Sequence, residues 1–309
     1  MPVGSAKFGL FAAAGGGGVT GAGYFGGGFV QWARTATVDK FAFSDDSRTT
    51  LGTGLSAAVL SVVGMANSGT AGYFGGGNTL TTTVDKFAFS DDSRTTLGTG
   101  LSSAAYGGAG MADSGTAGYF ALGYTGTIVD TVDKFAFSDD SRTTLGTGLS
   151  SSRYQSGGMA NSGTAGYFGG GDTGTRVDTV DKFAFADDSR TTLGTGLTAA
   201  IAELAGMANS GTAGYFGGGS TGGTQSTVDK FAFADDSRTT LGTGLSSARY
   251  ELAGMANSGT AGYFGGGSTG TYVATVDKFA FADDSRTTLG TGLTTGTINL
   301  AAMANGNIE

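Results

Sequence analysis

Residues 253–293 read AGMANSGTAGYFGGGSTGTYVATVDKFAFADDSRTTLGTGL, and this stretch returns with small changes along the whole chain. The acid of its TVDKFAF segment stands at Asp39, Asp85, Asp133, Asp181, Asp229 and Asp277, a spacing of 46 once and then 48 four times. Periods of this size belong to propellers, solenoids and arrays, in which one unit cannot bury its apolar face alone and stacks on its neighbours. Within the unit, an apolar segment around Met255 leads through NSGT into GYFGGG, a variable stretch, TVDKFAF, the turn DDSR and TTLGTGL. That is four short strand candidates, a to d, separated by turn chemistry. Asn257-Ser258-Gly259 and Asp283-Asp284-Ser285 supply residues that tolerate positive φ and cap their own backbone, as tight reversals require.

Alternation in TVDKFAF puts Phe279 and Phe281 on one face and Lys278 and Ala280 on the other. Tyr263 and Phe264 sit among glycines, an arrangement that suits blades stacked face to face. Helix is a poor competitor, since each recurrent Gly costs about 1 kcal/mol relative to Ala in a helix and Thr and Phe dominate the rest. The chain of 309 residues carries 61 Gly, yet also 21 Phe and 11 Tyr, far more aromatic surface than a disordered Gly-rich tract holds.

Composition closes several functional classes. A net charge of −8, with no basic cluster, leaves no footprint for nucleic acid. Without any Cys there are no disulfides, zinc fingers or thiol nucleophiles. Without any His the commonest general base and metal ligand is missing too. An enzyme here would have to use carboxylates, Tyr, Lys or Ser, for instance an unpaired acid such as Asp130, Asp178 or Glu251. No apolar run is long enough to span a membrane as a helix, and residues 1–18 make a poor signal peptide because FGLFAAAGGGG dissolves into glycine. The recurrent DDSR turn lacks calcium-loop spacing and reads as turn capping plus an internal ion pair. The GYFGGG glycines lack the lysine and helix of a phosphate loop. No cofactor is expected.

AGYFGGG followed by VDKF resembles the kelch repeat, with its apolar strand ending in a double glycine and a later aromatic. Arg153 and Arg249 sit where that family often has Arg before the innermost strand. The family's Trp is absent from the later strands, where Leu51, Leu97, Leu145, Leu193, Leu241 and Leu289 lie instead. The resemblance implies a protein- or glycan-binding scaffold; the copper-radical oxidases among such propellers need Cys and His. Near-identical Gly-rich arrays also look like tail-associated or surface proteins of bacteriophages.

The expected fold is all-β, a six-bladed β-propeller with four-stranded blades, spanning residues 21–309 behind an N-terminal arm of residues 1–20. GYF occurs six times, but the last Met-Ala strand, at Met303, follows every other segment. Ring closure follows if residues 298–304 supply the innermost strand of the blade that begins near Gly23. Residues 8–14 could fill the same place, but AAMANGN matches the repeat better than LFAAAGG, so closure is assigned to the C-terminal strand. The arm is then free to pair with a neighbour. A linear solenoid is the alternative architecture.

In a four-stranded blade the a–b and c–d turns share one rim and the b–c and d–a loops the other. NSGT and DDSR hardly vary, so the variety falls on a single rim. There stand Trp32, Arg34, Tyr124, Arg153, Tyr154, Arg176, Arg249, Tyr250 and Tyr272, residue types enriched at binding hot spots. The blander reading makes them solvated loop residues, with Arg153 and Arg249 bracing their blades. The expected function is a non-enzymatic structural or binding module, a phage virion component contacting other proteins of its assembly or a host surface. A bacterial surface or secreted adhesin that binds glycans is the alternative.

Overall fold

The computed structural model describes residues 21–306, all of them strand, turn or loop. Six antiparallel four-stranded sheets form the blades of a closed propeller. In blade 2 the strands Val63–Asn67, Ala71–Gly75, Val84–Ala88 and Arg94–Thr96 pair in chain order from the axis outward. Blade 1 takes its innermost strand, Ala301–Asn305, from the far end of the chain and sets it against Ala22–Gly26. Met303 faces Tyr24 in the register that sets Met65 against Tyr73. The expected closure by the C-terminal strand is therefore what occurs, with the strand starting at Ala301 rather than 298. The expected arm, including residues 8–14, lies outside the described residues.

The apolar cores lie between blades, and the period-2 pattern explains how. One face of blade 6 contributes Met255, Tyr263 and Val276, and the facing side of blade 1 contributes Phe25, Phe41 and Phe43. The same set recurs in the other gaps, with each Tyr stacked on a Phe of the next blade at ring centroid distances of 5.3–5.4 Å. Glycine lets the blades approach. A Cβ on Gly23 would overlap the Met255 sulfur, and one on Gly158, in an innermost strand, would overlap the carbonyl oxygen of Gly110 next door.

Charged groups stitch the outer parts together. The second Asp of each DDSR turn accepts from a Tyr hydroxyl and a Lys ammonium of the preceding blade: Asp92 from Tyr24 at 2.8 Å and Lys40 at 2.7 Å, and so on round to Asp46, from Tyr263 at 2.9 Å and Lys278 at 2.7 Å. Each of the six ammoniums also lies 5.3–5.5 Å from the ring centroid of that Tyr. Burial, then the carboxylate, holds all six tyrosines above their ordinary pKa. The first Asp of the turn caps it, as Asp45 does by accepting the Ser47 amide at 3.0 Å. Capping was expected; the ion pair runs to the lysine of the neighbouring blade rather than to the arginine of the turn.

A second set of links uses the Asp of TVDKFAF. Asp85 accepts the amide and hydroxyl of Ser56, in the loop arriving from blade 1, and the Thr96 hydroxyl at 2.6 Å. Equivalent bonds hold Asp39, Asp133, Asp181, Asp229 and Asp277, so each interblade loop is fixed to the blade it enters.

Candidate functional site

The loops of the varied rim are shaped by backbone contacts. In blades 3 to 6 a residue of the incoming loop bridges the start of the loop between the second and third strands, as Tyr106 does with Tyr124 and Tyr154 with Asp172. One residue further on, Ser61, Gly107, Gln155, Glu203, Glu251 and Asn299 occupy equivalent places around the axis, all with φ between +53° and +64°. That left-handed turn aims each amide at its neighbour. Ser61 donates to the Asn299 carbonyl at 2.7 Å, Gly107 to Ser61 at 3.2 Å, Gln155 to Gly107 at 2.5 Å, Glu203 to Gln155 at 2.8 Å, Glu251 to Glu203 at 2.9 Å and Asn299 to Glu251 at 3.0 Å. The result is a closed cycle of six hydrogen bonds around the mouth of the axis.

Side chains of this cycle line a cavity of ≈ 80 Å³ together with Ser156, Leu204, Leu252 and Leu300. Ser61 Oγ donates to Asn299 Oδ1 at 3.1 Å, and Gln155 Nε2 to Glu203 Oε1 at 2.9 Å. Burial pushes Glu203 above the ordinary carboxylate range, opposed by the Arg176 charge and the Gln155 hydrogen bond. Burial pushes Glu251 up to about 7, with the Asn299 side chain opposing and the Glu203 charge adding to the rise.

Outside the cycle lies an arc of tyrosines. Tyr106 and Tyr124 rings are 5.1 Å apart and Tyr124 and Tyr154 6.3 Å, tilted against each other. Arg176, beside them, donates to Ser220 Oγ at 3.2 Å. Across the rim Tyr272 meets Phe29 edge-on at 6.1 Å, and Tyr250 pairs its backbone with Ser268, which pairs with Tyr272. In blade 1 the loop becomes a small hairpin, Phe29–Val30 against Ala33–Arg34. Trp32 stands at its tip with φ +75° and is 89% exposed. Arg34 is exposed on the same hairpin.

Two of the nine residues singled out from the sequence are not on an accessible surface. Arg153 and Arg249 are fully buried, 0% exposed, and pair with Asp181 and Asp277, each at 2.9 Å, while donating to the carbonyls of Phe168 and Phe264. An arginine at this place has an apolar stem long enough to fill the gap between blades and a fork that reaches the loop-fixing Asp, so it braces the blade and contacts no partner. For Asp277, burial opposes the charge, but the Ser246 amide, Thr288 and Arg249 outweigh it and keep the carboxyl below its ordinary range. The other seven candidates do lie on the varied rim: Tyr124, Tyr154 and Arg176 together on one side, Tyr250 and Tyr272 on another, Trp32 and Arg34 apart on the hairpin.

The axial cycle was the part missed, apart from Glu251. Its one sequence signal is position, two residues before each innermost strand; five residue types share the six places, with only Glu occurring twice. Asp130 and Asp178 are exposed and away from it. Among the described residues, no three or more His, Cys, Asp or Glu side chains gather so as to hold a metal ion.

No protein-family model matches the chain, and no curated protein matches its sequence. Its fold is similar to that of many solved structures. One is the structure of YjhT, at a TM-score of 0.66 and 13% identity, over 82% of this chain and 91% of that one. At that identity the likeness concerns the fold alone: this chain is a six-bladed β-propeller.

Proposed function

We propose that the protein is a non-enzymatic binding module working through its varied rim, as a tail- or fibre-associated component of a phage virion that contacts other proteins or a host surface. The observation that supports it is the exposed Trp32 on its hairpin, held at positive φ on the one rim where the units differ. An exposed aromatic in a strained turn costs folding energy and returns none, whereas a partner that covers it gains a hot-spot anchor. The near-identical kelch-like units suit a protein of a repetitive assembly. A glycan-binding adhesin is favoured by one other feature, the Tyr106–Tyr124–Tyr154 arc beside Asp172 and Arg176, which offers ring faces next to hydrogen-bonding groups.

Gel filtration and a glycan array separate the two. The virion reading expects no selective sugar signal and co-assembly with particle proteins that Trp32→Ala weakens. A monomer with a selective glycan signal lost in Tyr154→Ala establishes the adhesin instead. Turnover of an arrayed glycan that Glu251→Gln abolishes overturns the non-enzymatic reading.

A further inference from the structure

The side chains at the mouth of the axis are unevenly served. Glu203 and Glu251 are neighbours in the cycle. Glu203 receives the Gln155 amide and feels the Arg176 guanidinium, whereas Glu251 has the Asn299 side chain and, facing it, the like charge of Glu203. Ser156 lines the same cavity, is 7% exposed, and its buried hydroxyl has no hydrogen-bond partner. A buried hydroxyl left alone costs about 1–3 kcal/mol, and a buried carboxylate without a cation is costlier still. Glu203, Glu251 and Ser156, three residues with acceptor capacity to spare, thus line the same ≈ 80 Å³ of space.

We propose that this axial mouth binds a primary ammonium group, its –NH3+ seated between Glu203 and Glu251 with the Ser156 hydroxyl as the third acceptor. This rests on the varied rim being the working face and names a ligand class for it. An ammonium carries three donors and no acceptor, which matches three open acceptors, whereas a sugar hydroxyl brings one donor and lone pairs of its own. For a metal ion the donor set is thin, since among the described residues no three His, Cys, Asp or Glu side chains gather at one place. The cavity has room for several waters, at about 10–15 Å³ each, and so for one small head group. The ammonium can be the end of a free diamine or a lysine side chain of a partner protein.

Binding is expected to follow the charge on Glu251. The other titratable or charged groups around it are Glu203 beside it, and Arg176 and Asp172 next to Glu203, with Tyr154 behind. As pH rises through neutrality Glu251 loses its proton, so affinity rises.

The test is calorimetric titration of the full chain with 1,4-diaminobutane, Nα-acetyl-lysine methylamide and, as a neutral control, n-butanol, at constant ionic strength and at about pH 8.5 and about pH 6. Both ammonium probes are expected to saturate at the higher pH and butanol not at all. Affinity should fall roughly tenfold at the lower pH and roughly tenfold or more in Glu251→Gln, about the effect of removing one charged contact. Tighter binding of the diamine points to a free polyamine, and tighter binding of the lysine mimic to a partner's side chain. No saturable binding at the higher pH overturns the proposal, as does an affinity that ignores both the substitution and the pH. If Glu251→Gln does not fold, the wild-type pH series decides. Glycan-array and co-assembly results report on the rim aromatics, so failure here is distinguishable from failure of the rim reading.

Discussion

The two rims of the ring are made by the same six units but held by different chemistry. On the uniform rim, closure between blades runs through side chains: a Tyr hydroxyl and a Lys ammonium onto one Asp of the next blade, six times over. On the varied rim, closure at the axis runs through backbone amides and carbonyls. A link made by side chains needs the same residues in every unit. A link made by peptide groups leaves the side chains free to differ, and Ser61, Gly107, Gln155, Glu203, Glu251 and Asn299 do differ while donating the same bond. Around the axis the varied rim is free to be diverse because peptide groups do the joining there, while its side-chain joints, Ser56 onto Asp85 and their equivalents, keep a Ser or Thr in every unit.

The largest effect is expected where both rims depend on the same waist. Gly158→Val places a branched side chain against the Gly110 carbonyl and should abolish cooperative thermal unfolding by circular dichroism, because the innermost strands can no longer meet. Next, Arg153→Ala should cost about 3–5 kcal/mol in denaturant unfolding, since it removes one partner of a buried ion pair. Arg153→Ile should cost clearly less, because blade 5 has Ile201 at the corresponding place and holds Asp229 through Thr198, Thr240 and the strand-borne Arg238. If the Ile variant loses as much as the Ala variant, side-chain identity matters on the varied rim more than the comparison allows.

Two single substitutions separate joining by side chains from joining by peptide groups. Asp92→Ala removes two charge-assisted bonds between blades 1 and 2 and should lower stability by about 1–2 kcal/mol. Gln155→Ala leaves its backbone bond to Gly107 in place and should cost under about 1 kcal/mol. Equal losses would sink the distinction between the rims. The smallest effect has a sign that depends on pH. In the folded protein Glu251 titrates at about 7, above its ordinary value of 4.5. Between those two values the folded state holds a proton that the unfolded chain has released, so stability falls as pH rises through that window. Glu251→Gln removes that slope and should unfold at a higher temperature than the wild type at about pH 8, with the gap closing by about pH 4.5. A constant difference across the range would show that Glu251 is not the titrating group.

Much of this was legible in the residues, and the limits have physical reasons. TVDKFAF and GYFGGG declare strands because Phe279, Phe281, Tyr263 and the glycines repeat with the period of a pleat, and Met303 after the sixth GYF declares closure. The DDSR turn revealed its capping but not its true ion-pair partner, because Asp46 and Lys278 meet only when the first and last blades are side by side. Arg153 and Arg249 could be read as surface or brace until Asp181 and Asp277 were placed beside them. The axial cycle was hidden because peptide groups carry no signature in a list of side chains.

Blade 1 joins Ala22–Gly26 to Ala301–Asn305, segments separated in synthesis by the other five blades. While the ribosome works through the intervening repeats, the strand bearing Tyr24 keeps one unpaired edge, and blade 2 lacks the flank on which Met303 should lie over Gly72. Contacts of such long sequence separation form slowly, and an open edge can accept the wrong strand meanwhile. In a crowded translation site the nearest strand of the right pattern belongs to another copy of the same chain, so exchange of this last strand between molecules is the folding error the architecture invites.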